Sequence, residues 1–164
     1  MAPARMSAGF TLVELMITLS ILAIVTSLAV PSFNDMIRRN KRVACGNELV
    51  GALQFGRTEA VRVGRPVTVT APNGIEQGVV VYRDDNGDGN VDNDEILQQT
   101  AACDVASLEV TTGDIEFSYL ADGQTNMADN FVLEICDATA VGEQGRNIRI
   151  LTSGVLRTAR LECD

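Results

Sequence analysis

Hydrophobic and polar positions divide this chain sharply near its start. Between Phe10 and Val30 the only charged residue is Glu14, and most of the rest are Leu, Ile, Val, Ala or Met. As a helix rising 1.5 Å per residue, these 21 residues cover about 31 Å, the thickness of a bilayer's hydrocarbon core. After Pro31 the apolar positions thin to one helical stripe: Phe33, Met36 and Ile37, then Leu49, Leu53, Gly56 and Ala60. Arg62, Gly64 and Pro66 together read as a helix end. The pattern therefore predicts one helix over about 10–63, too long for a globular core. Pro31 is expected to kink or locally open it just past the apolar run.

Beyond Pro66 the period changes to short β-prone runs broken by Gly, Asn and Asp. They lie near Val67–Ala71, Gly78–Arg83, Glu95–Thr100, Ala106–Thr112, Ile115–Leu120, Phe131–Cys136, Asn147–Thr152 and Val155–Leu161. Antiparallel hairpins are the economical reading, with the stripe of the second helical half packed on the sheet they form. The class is α+β, a long N-terminal helix and an antiparallel β-sheet head. Four segments follow: a short leader at 1–9, a membrane-spanning helical part at 10–30, an amphipathic half at 31–63 and a β-rich head at 64–164.

The leader holds Arg5 and ends in Ser7-Ala8-Gly9, unlike a usual secretory signal. A cut after Ser27-Leu28-Ala29 is the competing possibility, and Glu14 argues against it. A carboxylate in an apolar span costs roughly 2.5 to 3.5 kcal/mol on insertion scales and is kept for a task. The basic cluster Arg38, Arg39, Lys41 and Arg42 after the run points the other way, since it favours a cytoplasmic C-terminal part. The cysteines and the leader outweigh it.

Cys45, Cys103, Cys136 and Cys163 are even in number, lack the close pairs of a zinc site, and have no His to complete one. Disulfides are expected, and with them an oxidising compartment; spacing leaves all three pairings open. Without His, a G-x-S-x-G elbow, a P-loop or a Rossmann glycine pattern, the sequence reads as no enzyme. Net charge is −9, yet no Lys or Arg falls between Arg83 and Arg146. Any contact with DNA or an acidic membrane must therefore use the basic ends.

The residues Gly9-Phe10-Thr11-Leu12-Val13-Glu14-Leu15 resemble the processing site of type IV prepilins and type II secretion pseudopilins. The resemblance implies cleavage after Gly9 by a prepilin peptidase and methylation of the new Phe10 amine. Glu14 then becomes the fifth mature residue, and in lipid its carboxylate is neutralised by its own amine or a neighbour's, setting filament register. The segment from Glu48 to Val61, followed by Gly64-Arg65-Pro66-Val67-Thr68-Val69, resembles the GspH/FimT/FimU branch of the type IV pilin-like superfamily. The implied fold is the pilin-like one. The implied role is a minor pilin or pseudopilin priming or capping a type IV filament, with the type II secretion pseudopilin H as alternative. Its partners are other pilins and the bacterial inner membrane, which it crosses once with its head in the periplasm. Many pilin heads close a disulfide near the C-terminus, which suggests Cys136 with Cys163 and leaves Cys45 for Cys103.

Residues 84–95 fit the calcium-loop template D-x-[DN]-x-[DN]-G-x5-E in full. Asp84, Asn86 and Asp88 offer side-chain oxygens, Asn90 a carbonyl, Asp92 a water-mediated contact and Glu95 a bidentate carboxylate. The flanks look like strands and not the helices of an EF-hand, and Asp, Asn and Gly favour tight turns anyway. A plain hairpin is preferred and no cofactor is required, with calcium the alternative. FimT-like minor pilins that bind DNA in natural transformation carry a basic G-R-x-R element. The matching place here reads Gly154-Val155-Leu156-Arg157, so only Arg157 carries over, with Arg160 nearby. A separation of three puts those two on opposite faces of a flat strand.

Overall fold

A computed structural model describes residues 10–103, 107–110, 115–136 and 144–163, without the side chains of residues 28, 30–32, 107–110 and 144. The leader at 1–9, with Gly9, lies outside the described residues, as do the ends of the strand expected at Ala106–Thr112. Helix α1, Leu12–Val63, continues through Pro31, so the opening expected there is absent from its assignment. Contacts divide the chain into two units at Arg39 and Asn40. In the first, the described large apolar side chains of α1 are all exposed. Among the described residues no helix is long and apolar enough to cross a membrane.

The second unit begins inside α1. There Cys45, Leu49, Ala52, Leu53 and Ala60 are buried on one stripe, with Gly56 among them. The helix ends as the sequence suggests: Gly64, at φ 68°, donates its N–H to the Ala60 carbonyl at 3.0 Å.

Eight strands follow among the described residues: β1 Val67–Thr70, β2 Val80–Tyr82, β3 Ile96–Gln99, β4 Ser107–Val110, β5 Glu116–Tyr119, β6 Phe131–Cys136, β7 Gln144–Ile150 and β8 Leu156–Glu162. They correspond one to one with the expected runs, though β7 starts three residues earlier than its pattern suggests. They form two antiparallel sheets, β3-β2-β1-β5 and β4-β6-β7-β8, where the sequence suggested one. Strand periodicity says which face is apolar; it does not say which edge a strand joins. The sheets meet through aromatics: Phe117 of β5 lies 6.2 Å from Phe131 of β6 and 5.3 Å, edge to face, from the buried Tyr119.

Two glycines mark where the helix lies on each sheet. A Cβ on Gly46 would stand 3.3 Å from Ile135 and from Arg146, and one on Gly56 would stand 3.2 Å from Val81 and 3.4 Å from Val69. The contact points are about 15 Å apart along the axis.

Two disulfides close the unit, Cys45–Cys103 and Cys136–Cys163, with Cα separations of 5.8 and 5.7 Å. The second links the end of β6 to the residue after β8, and so crosses over β7, the strand between them. It can do so because the crossing point is Gly145, where any Cβ would run into Sγ of both cysteines and the Ile135 carbonyl. Gly145→Val should therefore leave Cys136 and Cys163 as thiols while Cys45–Cys103 stays closed. Thiol titration in denaturant reads two free sulfhydryls, and urea unfolding a loss of about 2–5 kcal/mol.

Candidate functional site

The described N-terminal site begins at Phe10, 87% exposed, just before α1. Thr11 caps the helix: its Oγ1 accepts the Glu14 N–H at 3.2 Å, and its carbonyl accepts the first helical bond from Leu15 at 3.1 Å. Thr11-Leu12-Val13-Glu14 has the S/T-x-x-E spacing of a capping box, a signal the sequence reading passed over. Glu14 is exposed in the first turn, where the helix dipole favours a negative charge. The same carboxylate thus suits its own helix end while staying exposed.

The turn between β2 and β3 is ordered by its own side chains. The Asp84 carboxylate accepts the N–H groups of Gly87 at 2.6 Å and Gly89 at 3.0 Å. Asn86 Oδ1 accepts from Asp88 N–H, and Asp88 Oδ1 from Asn90 N–H. Asn86 also donates to Asp92. Glu95 Oε1 accepts from the N–H groups of both Asp85 and Asn86. The hydrogen bond from the Asn90 backbone holds the Asp88 carboxyl below its ordinary pKa. Among the described residues, no three Asp, Glu or Cys side chains stand close enough to hold a metal as placed.

Beside the turn, Arg83 and Arg65 both donate to Asp85, which the Arg83 hydrogen bond holds below its usual carboxylate range. On the last turns of α1, Arg62 donates to the buried Glu59 and depresses its pKa in the same way.

Arg157 and Arg160 lie on β8, an edge strand with most of its side chains exposed. The register sets Arg157 opposite Arg149 and Arg160 opposite Arg146, without a bulge. The two pairs therefore sit on opposite faces, as the spacing anticipated. Arg146 shares its face with the buried Ile148 and donates to Asn47 at 2.6 Å. No continuous phosphate-binding stripe results, so a DNA site is not carried further.

Three ties within the second unit were not foreseen. Arg57 Nε donates to the Gly123 carbonyl at 3.0 Å and its Nη2 to that of Ser153, clasping two loops against α1. Glu48 accepts the Ala101 N–H at 2.9 Å, beside the Cys45–Cys103 bond. Neither Arg57 nor Glu48 falls on the apolar stripe Leu49, Leu53, Gly56 and Ala60 that the helical period picks out.

Residues 46–154 match the model of the family described as type II transport protein GspH, and residues 4–30 match that of the prokaryotic N-terminal methylation motif. A type IV major fimbrial protein FimA of Dichelobacter nodosus is 31% identical over 76% of this chain and 80% of its own. The structure is similar to that of the type IV minor pilin FimU of Pseudomonas aeruginosa, with TM-score 0.63 and 21% identity over 74% of this chain and 90% of that one. It is also similar to the minor pseudopilin EpsH from the type 2 secretion system of Vibrio cholerae, with TM-score 0.53 and 17% identity over 71% and 94%.

The Glu59–Arg62 pair has a signed pH dependence. A carboxyl whose folded pKa is depressed contributes stability above its unfolded pKa and loses it as pH falls through the folded one. Glu59→Gln should remove that segment, so that the variant loses less stability than the parent between pH 5 and pH 3. Urea midpoints across this range measure it; Asp85 and Asp88, also depressed, leave a residual slope.

Proposed function

The chain belongs to the type II transport protein GspH family of pilin-like subunits, and we propose that it works as a minor pilin or pseudopilin, anchored in the bacterial inner membrane before its long helix is built into a type IV filament. The observation that carries this is the first part of α1. Leu12, Val13, Leu15, Met16, Ile17, Leu19, Ile21, Leu22, Ile24 and Val25 are each more than half exposed, and Glu14 is the single charge among them. Apolar surface distributed around a whole helix is stable in lipid or among the same helices of neighbouring subunits, and nowhere in water. The run from Phe10 to Val30 is long enough to span a bilayer, and Glu14 is the group that pairs with a subunit amine once both are in a low-dielectric surrounding.

In this reading the leader 1–9 is removed after Gly9 by a prepilin peptidase, and Phe10 becomes the methylated N-terminus. The methylation-motif match over residues 4–30 supports that processing. The oxidised cysteines support a head, 64–164, outside the cytoplasm. The exposed Arg38, Arg39 and Lys41 then lie near the outer headgroups, whereas Arg42 is buried. The role is structural: priming or capping the filament through contacts with other minor and major pilins.

A place in a type II secretion pseudopilus is the second reading, favoured by the family description and the likeness to EpsH. The fimbrial relatives favour the pilus. Deleting the gene and scoring twitching motility against enzyme secretion separates the two. For the shared reading, the N-terminus of the processed protein should be Phe10 carrying one methyl group by intact mass and N-terminal sequencing. Gly9→Val should abolish processing, and Glu14→Ala should be processed yet absent from sheared filaments. A mature chain starting at Val30 would overturn it.

A further inference from the structure

We infer that the turn between β2 and β3, residues 84–95, is a calcium-binding loop built on a hairpin in place of the two helices that usually flank such loops. This inference does not rest on the filament reading. All six oxygen-bearing positions and the glycine of the twelve-residue template are present, and Gly89 has φ +76°, the left-handed bend needed at the sixth position. The run of Asx turns is also compatible with an ordinary hairpin.

What separates the two is Glu95. It is only 5% exposed, and its Oε1 receives the N–H groups of Asp85 and Asn86 at 2.8 and 3.1 Å. These bonds fix the carboxylate at the opening of the turn. Its other oxygen, Oε2, is buried and has no hydrogen-bond partner. A buried anionic oxygen left unpaired is costly, and a hairpin gains nothing from it. Arg65 and Arg83 both donate to Asp85, so although Arg83 feels the charge of Glu95 it makes no hydrogen bond to Oε2. A metal ion at this point supplies the missing partner, and Glu95 is the position from which the template draws its bidentate carboxylate.

The donor set selects the ion. The chain has no His and its four cysteines are in disulfides, so only hard oxygen ligands are offered. Asp84 and Asp88 already spend lone pairs on backbone amides, but a carboxylate has about four acceptor sites and can serve an amide and a cation together. Because no three carboxylates converge as placed, calcium must draw them inward. That cost sets the affinity in the weak range of extracellular modules, about 10⁻⁴ to 10⁻³ M, and disfavours magnesium, which demands tighter octahedral geometry.

The test is isothermal titration of calcium chloride into the full chain in detergent micelles after chelator treatment. One equivalent should bind in that range. Asp84→Asn and Glu95→Gln should each weaken binding at least tenfold, and Asp94→Asn, outside the ligand set, should bind as the parent does. Thermal unfolding of parent and Asp84→Asn with calcium or chelator is the second readout: calcium should raise the parent's midpoint and leave the variant's unchanged. Should Glu95→Gln fail to fold, Asp84→Asn carries the comparison. No heat from the parent at millimolar calcium overturns the inference. So does undiminished binding by Asp84→Asn, or an equal loss in Asp94→Asn, which would mark a diffuse acidic surface.

Discussion

The second half of α1 holds together two sheets that, among the described residues, share no strand ladder. At Gly46 it lies against Ile135 and Arg146 of the β4-β6-β7-β8 sheet, and at Gly56 against Val69 and Val81 of the β3-β2-β1-β5 sheet. Larger residues at either point would hold the helix off the sheet it touches. Close approach there seats Leu49, Ala52, Leu53 and Ala60 among the valines, isoleucines and aromatics of both sheets. Such burial is the main favourable term in folding a small domain. The Phe117 to Phe131 contact then closes the seam between the sheets.

Charged groups complete what packing begins. Arg57 binds the loops at Gly123 and Ser153 to the helix, and Glu48 binds Ala101. The β8 edge of the second sheet needs protection from edge-to-edge association. On β8 the exposed Arg157, Arg160 and Glu162 supply it through charge. Like-charged Arg pairs across β7 and β8 cost some stability, but the members of each pair have water or a polar partner such as Asn47.

Much of this was legible in the sequence because the signals were local. The helix end at Val63 needs only Gly64 and Pro66, and Phe131–Cys136 alternates between buried and half-buried as a one-sided strand must. The buried stripe of Leu49, Leu53, Gly56 and Ala60 follows from helical period alone. What was not legible depends on distant residues. The split into two sheets is a matter of which strands share an edge. The early start of β7, at Gln144-Gly145-Arg146, has no β-prone residue to announce it and is imposed by pairing with Glu162, Leu161 and Arg160. At the turn, the template marked out a set of oxygen-bearing residues, but only the fold reveals that Glu95 is buried with one oxygen lacking a hydrogen-bond partner.

The bond between Cys45 and Cys103 also has a mechanical meaning. In a filament under tension, load enters a head through its helix. Packed side chains resist such load as a frictional contact, and they can slip past one another by successive small steps. A covalent joint has no slip mode, so force passes from the helix directly to the segment that follows β3. That edge strand thereby becomes the first part of the head to be strained, while the buried core behind it is shielded. Reduction of this one bond would change the element that yields first.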